Sequence, residues 1–312
     1  MIEVIIKNEV FWRDTNGDKI SAHGGGIIKQ GNFYYWFGEN RHGIKKVSCY
    51  RSKDLKNWEF RNDVLCIDAE TKPHYIETDL DLNPLDVEGG ANIERPKVLY
   101  NEKSKKYVMW MHYENGKNYK AARAAVAISD TIDGDYTYLG SFRPEGYMSR
   151  DCTLFKDDDG TAYFISAARN NADMHIYKLS DDYLSIDSFI QKLWPGKYRE
   201  APALVKKDDY YFMMTSGCTG WHPNQGKYAY TKDIAGEWSQ LKDIGDETTY
   251  DSQSTYILPV DEKESRTYLY IGDRWDPDNY HNSKYIFLKI KFPSKTTMTM
   301  DYANEIKVYT KE

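Results

Sequence analysis

Short apolar, aromatic-rich runs alternate with polar turns along the chain, and the runs repeat. Five read as strands: GNFYYWFGE at 31–39, KKYVMWMHY at 105–113, GTAYFISAA at 160–168, DDYYFMMTS at 208–216 and RTYLYIGDR at 266–274. With Tyr35, Tyr107, Tyr163, Tyr211 and Tyr268 as markers, the spacings are 72, 56, 48 and 57 residues. Each run follows a second apolar strand and a tip rich in Asp, Asn, Lys and Gly, the pattern of a β-hairpin. After four of the hairpins, residues 46–60, 124–139, 174–189 and 227–241 read as a third strand, a Ser/Lys-Asp turn and an aromatic-bearing fourth strand. The fifth copy, 284–302, is looser. Five units of about four strands predict an all-β, five-bladed β-propeller, in which no blade buries both faces alone. The repeat fills residues 1–312 as one domain, with blade hairpins near 23–39, 94–113, 151–168, 200–216 and 253–274. Residues 61–93, containing DLDLNPLDVEGG, read as an insertion in the first blade or a loop over one mouth of the ring.

Composition narrows the partners. A mean hydropathy of −0.75 and the lack of any run near the roughly 18 apolar residues of a spanning helix exclude a helical membrane protein. A net charge of −6 and a pI near 5.7 speak against nucleic acid, which calls for a basic stripe. The 27 Tyr and 8 Trp suit both aromatic β cores and sugar binding, where rings stack on pyranose faces. Cys49, Cys66, Cys152 and Cys218 form no CxxC pair and read as free thiols. The start MIEVIIKNEVFW lacks the features of a signal peptide, so the expectation is a cytoplasmic protein, or a secreted or periplasmic one whose leader precedes this sequence. A monomer is expected.

Innermost strands of a propeller converge on its axis, so equivalent strand starts meet at one mouth. Those positions hold His23 before Gly24–Gly26, Glu94 in NIERPK, Asp151 in SRDCT, Glu200 in YREAPA and Gln253 in DSQST. Three carboxylates and an amide would face one another there, with Arg95, Arg150 and Arg199 beside the acids as candidate ion-pair partners. Like charges crowded in a partly dry site cannot all ionise normally, so one carboxyl is raised and becomes an acid. An acid and a base or nucleophile across a sugar ring are what glycoside hydrolysis needs. Other chemistries lack their motifs. HGGG occurs without a GxSxG elbow, the histidines show no HExxH, KDDDGTAY lacks the Glu that ends a calcium loop, and neither GxGxxG nor a P-loop is present. No cofactor and no metal are implied.

RDCTLFKDDDGTAY and EAPA resemble the blade starts of glycoside hydrolase family 43. AHGGGIIKQGNFYYWFGEN, NIERPKVLYN, KYVMWMH, TSGCTGWHPN and DSQSTYIL resemble its exo-β-1,3-galactanase branch, over about Trp12 to Ile290. The resemblance implies an inverting enzyme that releases galactose from the non-reducing end of β-1,3-galactan, the arabinogalactan backbone. Other activities of the same family, arabinofuranosidase or xylosidase, and a catalytically dead carbohydrate-binding propeller are the alternatives. The resemblance makes Glu200 the general acid and Asp151 the group that tunes and orients it. The family's usual base is an Asp at the start of the first blade, where this chain has Ala22-His23-Gly24. That departure leaves Glu94 and Gln253 as candidates for the base, with a water held by Gln253 and polarised by Glu94 between the two readings. Glu39, Tyr119, Thr219 and Trp221 are implied as contacts of the terminal sugar, and His23 is either a further contact or a hydrogen-bonded strand-end histidine.

Overall fold

The computed structural model describes residues 2–74, 80–262 and 265–310. Five four-stranded antiparallel sheets, each in chain order, make the five blades. Blade 1 is β2 (His23–Gln30), β3 (Phe33–Asn40), β4 (Lys46–Ser52) and β5 (Glu59–Leu65), preceded in the chain by β1 (Ile2–Lys7). Blade 2 is β6 (Asn92–Asn101), β7 (Lys106–Glu114), β8 (Arg123–Ser129) and β9 (Thr137–Phe142). Blade 3 is β10 (Cys152–Lys156), β11 (Ala162–Ala168), β12 (Asp173–Leu179) and β13 (Ile186–Leu193). Blade 4 is β14 (Arg199–Lys207), β15 (Tyr210–Gly217), β16 (Gly226–Thr231) and β17 (Lys242–Ile244). Blade 5 is β18 (Gln253–Asp261), β19 (Arg266–Arg274), β20 (Lys284–Ser294) and β21 (Thr297–Met300). Among the described residues no helix is long and apolar enough to cross a membrane.

The unbroken apolar runs of the second strands follow from burial on both faces. Tyr35 and Phe37 pack against Met109 and Met111 of blade 2, while the alternate Tyr34 and Trp36 pack against Leu269 and Phe287 of blade 5. Three further clusters repeat this between blades 2 and 3, 3 and 4, and 4 and 5, so each blade interface has its own core.

Three features differ from the sequence expectation. Trp58, Tyr136, Tyr183 and Trp238 fall in the turn ahead of each outer strand rather than in the strand. There they are buried against the blade, Trp238 beside a three-residue outer strand that begins only at Lys242. Of residues 61–93, the first five complete β5, the last two open β6, and the described stretch between them links blade 1 to blade 2 outside both sheets. It flanks β9 through Lys72 N to Tyr138 O (2.8 Å) and Tyr138 N to Glu70 O (2.7 Å), and it returns under Ala91 N to Leu82 O (2.9 Å). The two ends of the chain meet as a separate ribbon, β1 with β22 (Glu305–Thr310), which packs on blades 5 and 1. Asn8 fastens it: its side chain donates to Phe287 O and Ala303 O and accepts from Phe287 N, each at 2.9 Å.

Candidate active site

Three of the inner strands begin with matching β-bulges that aim their side chains. After His23, Glu94 and Glu200, two residues of the inner strand face one of the second strand. The first of the pair is left-handed each time: Gly24 at φ 62°, Arg95 at 55° and Ala201 at 53°. A bulge breaks the two-sided alternation of a strand, so Glu94 and its neighbour Arg95 both reach the same pocket. For a residue with a Cβ this conformation costs about 1–2 kcal/mol, and here the freed carbonyls are bonded by side chains. Lys97 Nζ donates to Gly24 O (2.7 Å) and Arg95 O (3.3 Å), and Ser254 Oγ donates to Ala201 O (2.7 Å).

The pocket, about 150 Å³, is lined by Glu39, Arg41, Glu94, Arg95, Tyr119, Asp151, Glu200, Gly220, Trp221, Gln253 and Trp275. Four of the five expected blade starts therefore meet. In a five-membered ring the blade opposite blade 4 is the seam between blades 1 and 2, so Glu200 faces Glu39, Arg41 and Glu94 across the axis.

On the blade 4 side, Glu200 Oε1 accepts from Gln253 Nε2 and Oε2 from Asn171 Nδ2, both at 3.0 Å. Burial and the negative charge of Asp151 push its carboxyl up to about 8, against the pull of Arg95. Arg95 Nη2 pairs with Asp151 Oδ2 at 3.0 Å and donates to Gln253 Oε1 at 2.5 Å. Gln253 also accepts from Trp275 Nε1 (2.8 Å) and donates to Ser216 Oγ (3.0 Å). Both its lone pairs and both its N–H bonds are thus committed, which fixes the amide and links Arg95 to Glu200.

On the opposite side, Glu94 Oε1 accepts from Arg41 Nη2 (2.8 Å) and Tyr119 OH (2.7 Å), and Oε2 faces His112 Nδ1 at 3.2 Å. Burial opposes ionisation, but His112 and Arg41 overcome it and hold this carboxyl far below the usual carboxylate range. Glu39 differs. Its Oε2 accepts from Arg41 Nε at 2.9 Å, yet burial, with Glu94 adding to it, raises it to about 7. Trp221 stacks on Trp275 at 6.1 Å and 19°, and the Arg41 guanidinium lies 4.8 Å from the Tyr280 ring.

Seven of the nine expected site residues line the pocket. His23 stands behind it, 2% exposed, held by Asp273 through Nδ1 at 2.9 Å and stacked on Tyr285. Thr219 lies just outside the lining, its Oγ1 donating to His222 O (2.6 Å) and accepting from Asn224 Nδ2 (2.6 Å). Arg95 pairs with Asp151 rather than with its neighbour Glu94, Arg150 donates to Tyr119 O, and Arg199 donates to Thr215 O. Arg41, Trp275 and Asn171 were not expected. All three follow the second strand of a hairpin, and antiparallel pairing puts the end of that strand beside the start of the first, so the stretch after each marker strand held the signal. Glu94, His112 and Asp151 also bring ligand atoms within 4.8 Å of one another, but Arg41 and Arg95 already pair both carboxylates, so the protein itself supplies the positive charge a metal would bring.

A raised carboxyl facing an ionised one across a small pocket is the pairing that glycoside hydrolysis uses. Residues 96–255 match the family described as glycosyl hydrolases family 43, and the chain belongs to that family. It is 48% identical to an exo-β-1,3-galactanase from Clostridium thermocellum, with a TM-score of 0.89 over 97% of this chain and 66% of that one. It is 36% identical to an exo-β-1,3-galactanase from Phanerochaete chrysosporium, a glutamate-to-glutamine variant solved with β-1,3-galactotriose, with a TM-score of 0.86 over 98% of this chain and 68% of that one. A curated xylan 1,3-β-xylosidase from a Vibrio species is 23% identical over 205 residues, which are 61% of this chain and 35% of that protein. This chain thus spans about a third of the curated relative and just under two thirds of the Clostridium protein.

Proposed function

We propose that the protein is an inverting exo-β-1,3-galactanase, removing single galactose units from the non-reducing end of β-1,3-galactan. The observation that carries the reading is the contrast across the pocket, with Glu200 raised to about 8 and Glu94 held ionised. A protonated carboxyl can donate and an ionised one can accept at the same pH, which is the division of labour of acid and base. The 150 Å³ volume suits one hexose ring rather than a run of them, as exo action requires. Galactose, with its axial O4, offers one apolar face to stack on an indole, and Trp221 supplies one at the rim.

In this scheme Glu200 gives its proton to O3 of the departing sugar as the C1–O3 bond breaks. A water attacks C1 from the opposite face and loses its proton to Glu94, so a β-linkage yields α-galactose. Asp151 keeps Glu200 protonated between turnovers, and Gln253 holds its carboxyl in place. Gln253 is the weaker candidate for the base, because its amide has no free hydrogen-bonding position. Glu39 Oε1 remains for the hydroxyls of the sugar.

The test is product analysis with β-1,3-galactotriose, beside β-1,3-xylobiose and an aryl arabinofuranoside. The reading expects galactose and galactobiose from the first and little turnover of the others. Preferred turnover of xylobiose or of the arabinofuranoside would move the protein to another activity of its family, and inertness to all three would make it a binding propeller.

A further inference from the structure

Blade 2 carries a buried line of charge, of which the scheme above uses only the end at Glu94. Glu94 on β6 and His112 on β7 are cross-strand partners, and Glu114, two residues further along β7, shares the face of His112. His112 Nε2 lies 3.0 Å from Glu114 Oε1, and Nδ1 lies 3.2 Å from Glu94 Oε2. The histidine is 1% exposed and Glu114 is fully buried, its Oε2 without a hydrogen-bond partner among the described residues. A neutral imidazole would turn a lone pair toward one of two buried carboxylates. A doubly protonated ring presents a donor to each and neutralises part of their charge.

We propose that protonated His112 is a positioning residue, holding Glu94 ionised and steering its Oε2 into the pocket from the side away from the sugar, while Glu114 keeps His112 protonated. This rests on reading Glu94 as a carboxylate that meets water or sugar. Oε1 of Glu94 is taken by Arg41 and Tyr119, which leaves Oε2 for the pocket, with the His112 ring 3.2 Å away as its charged neighbour. The position of Oε2 is set by that imidazole, which lies within ion-pair distance without a well-aligned hydrogen bond. The charged and titratable groups around the ring agree with this. Glu94 faces it from β6 and Glu114 from its own strand, Tyr119 comes from the loop after β7, Asp151 from the head of blade 3, and Arg41 stands behind Glu94. Burial opposes a charge on His112, yet the bonds to Glu114 and Glu94 raise it to about 9.

The experiment measures kcat/KM for β-1,3-galactotriose against pH in wild type, His112→Gln, Glu114→Gln and Glu94→Gln. His112→Gln keeps a donor but loses the charge, and about a tenfold fall in kcat/KM at neutral pH is expected, the worth of one charge-assisted hydrogen bond. The sharper expectation is a new acidic limb, at least one pH unit above any in wild type, because Glu94 then protonates more easily. Glu114→Gln preserves the packing and should shift the limb in the same direction by less. A histidine that merely filled space would lower the melting temperature of its variants and leave the limb where it was. Wild-type pH profiles in folded His112→Gln and Glu114→Gln, with Glu94→Gln crippled, would overturn the positioning role alone. Should His112→Gln not fold, Glu114→Gln decides. A Glu94→Gln enzyme as active as wild type would overturn the reading of Glu94 and the positioning role with it.

Discussion

Glu200 and Glu94 are the same residue type at equivalent blade starts, and their surroundings drive them apart. Glu200 has amide donors and the negative Asp151 for neighbours, whereas Glu94 has Arg41, Tyr119 and His112. As the proposed general acid, Glu200, raised to about 8, should give kcat/KM a basic limb near that pH, with activity falling as pH rises through it. In Glu200→Gln that limb should vanish, and kcat on galactotriose should drop by about 10²–10⁴-fold. An aryl galactoside with a good leaving group should suffer far less, because its departure needs no proton. A wild-type rate on galactotriose in this variant would remove Glu200 from the mechanism. The acids were legible in the sequence because the repeat placed them. Their division into acid and base came from the family resemblance and not from the repeat, since it depends on His112 in a second strand and on Arg41 just after one.

At the scale of elements, the bulge fixes where each side chain points. Gly24 and Gly25 occupy the bulge of blade 1, and a Cβ would fare differently at each. At Gly24 it would sit 2.9 Å from Glu39 Oε1 on a backbone at φ 62°, and at Gly25 it would lie 1.8 Å from Phe37 O. Gly24→Ala should therefore cost about 1–2 kcal/mol and displace Glu39, raising KM more than it lowers the melting temperature. Gly25→Ala meets backbone that cannot yield and should destabilise the fold by about 3 kcal/mol or more, seen in urea denaturation. Equal effects of the two on KM would argue against this division. HGGG advertised the blade 1 bulge. Those at Arg95 and Ala201 carry ordinary residues and left no trace in the sequence, because side chains of the neighbouring blades hold them in place.

Over the whole molecule, five interface cores and one ribbon close the ring. The hairpin count and the Tyr spacing were enough to predict the blades, since each second strand is buried on both faces and reads as an unbroken apolar run. The ribbon was invisible, because pairing Ile2 with Thr310 needs a contact across the full chain that no local pattern encodes. Asn8→Ala would orphan the N–H and C=O of Phe287 and the carbonyl of Ala303, and a loss of about 3 kcal/mol is expected in chemical denaturation. An unchanged midpoint would show that the ring closes without it. The site also taxes the fold. Glu39 and Glu200, raised to about 7 and 8, hold protons in the fold that the unfolded chain releases near 4.5. Stability should fall as pH rises from about 5 to 7, measured as melting temperature. Above 7, Glu200 and His112, raised to about 8 and about 9, continue the fall, and Lys97, lowered to about 7 by burial, acts against it.

The most direct measurement follows the first turnovers of β-1,3-galactotriose by proton NMR, before mutarotation equilibrates the product. Inversion at a one-ring pocket predicts galactose appearing first as the α anomer, one unit at a time from the non-reducing end. Initial β-galactose, or no galactose at all, would contradict it.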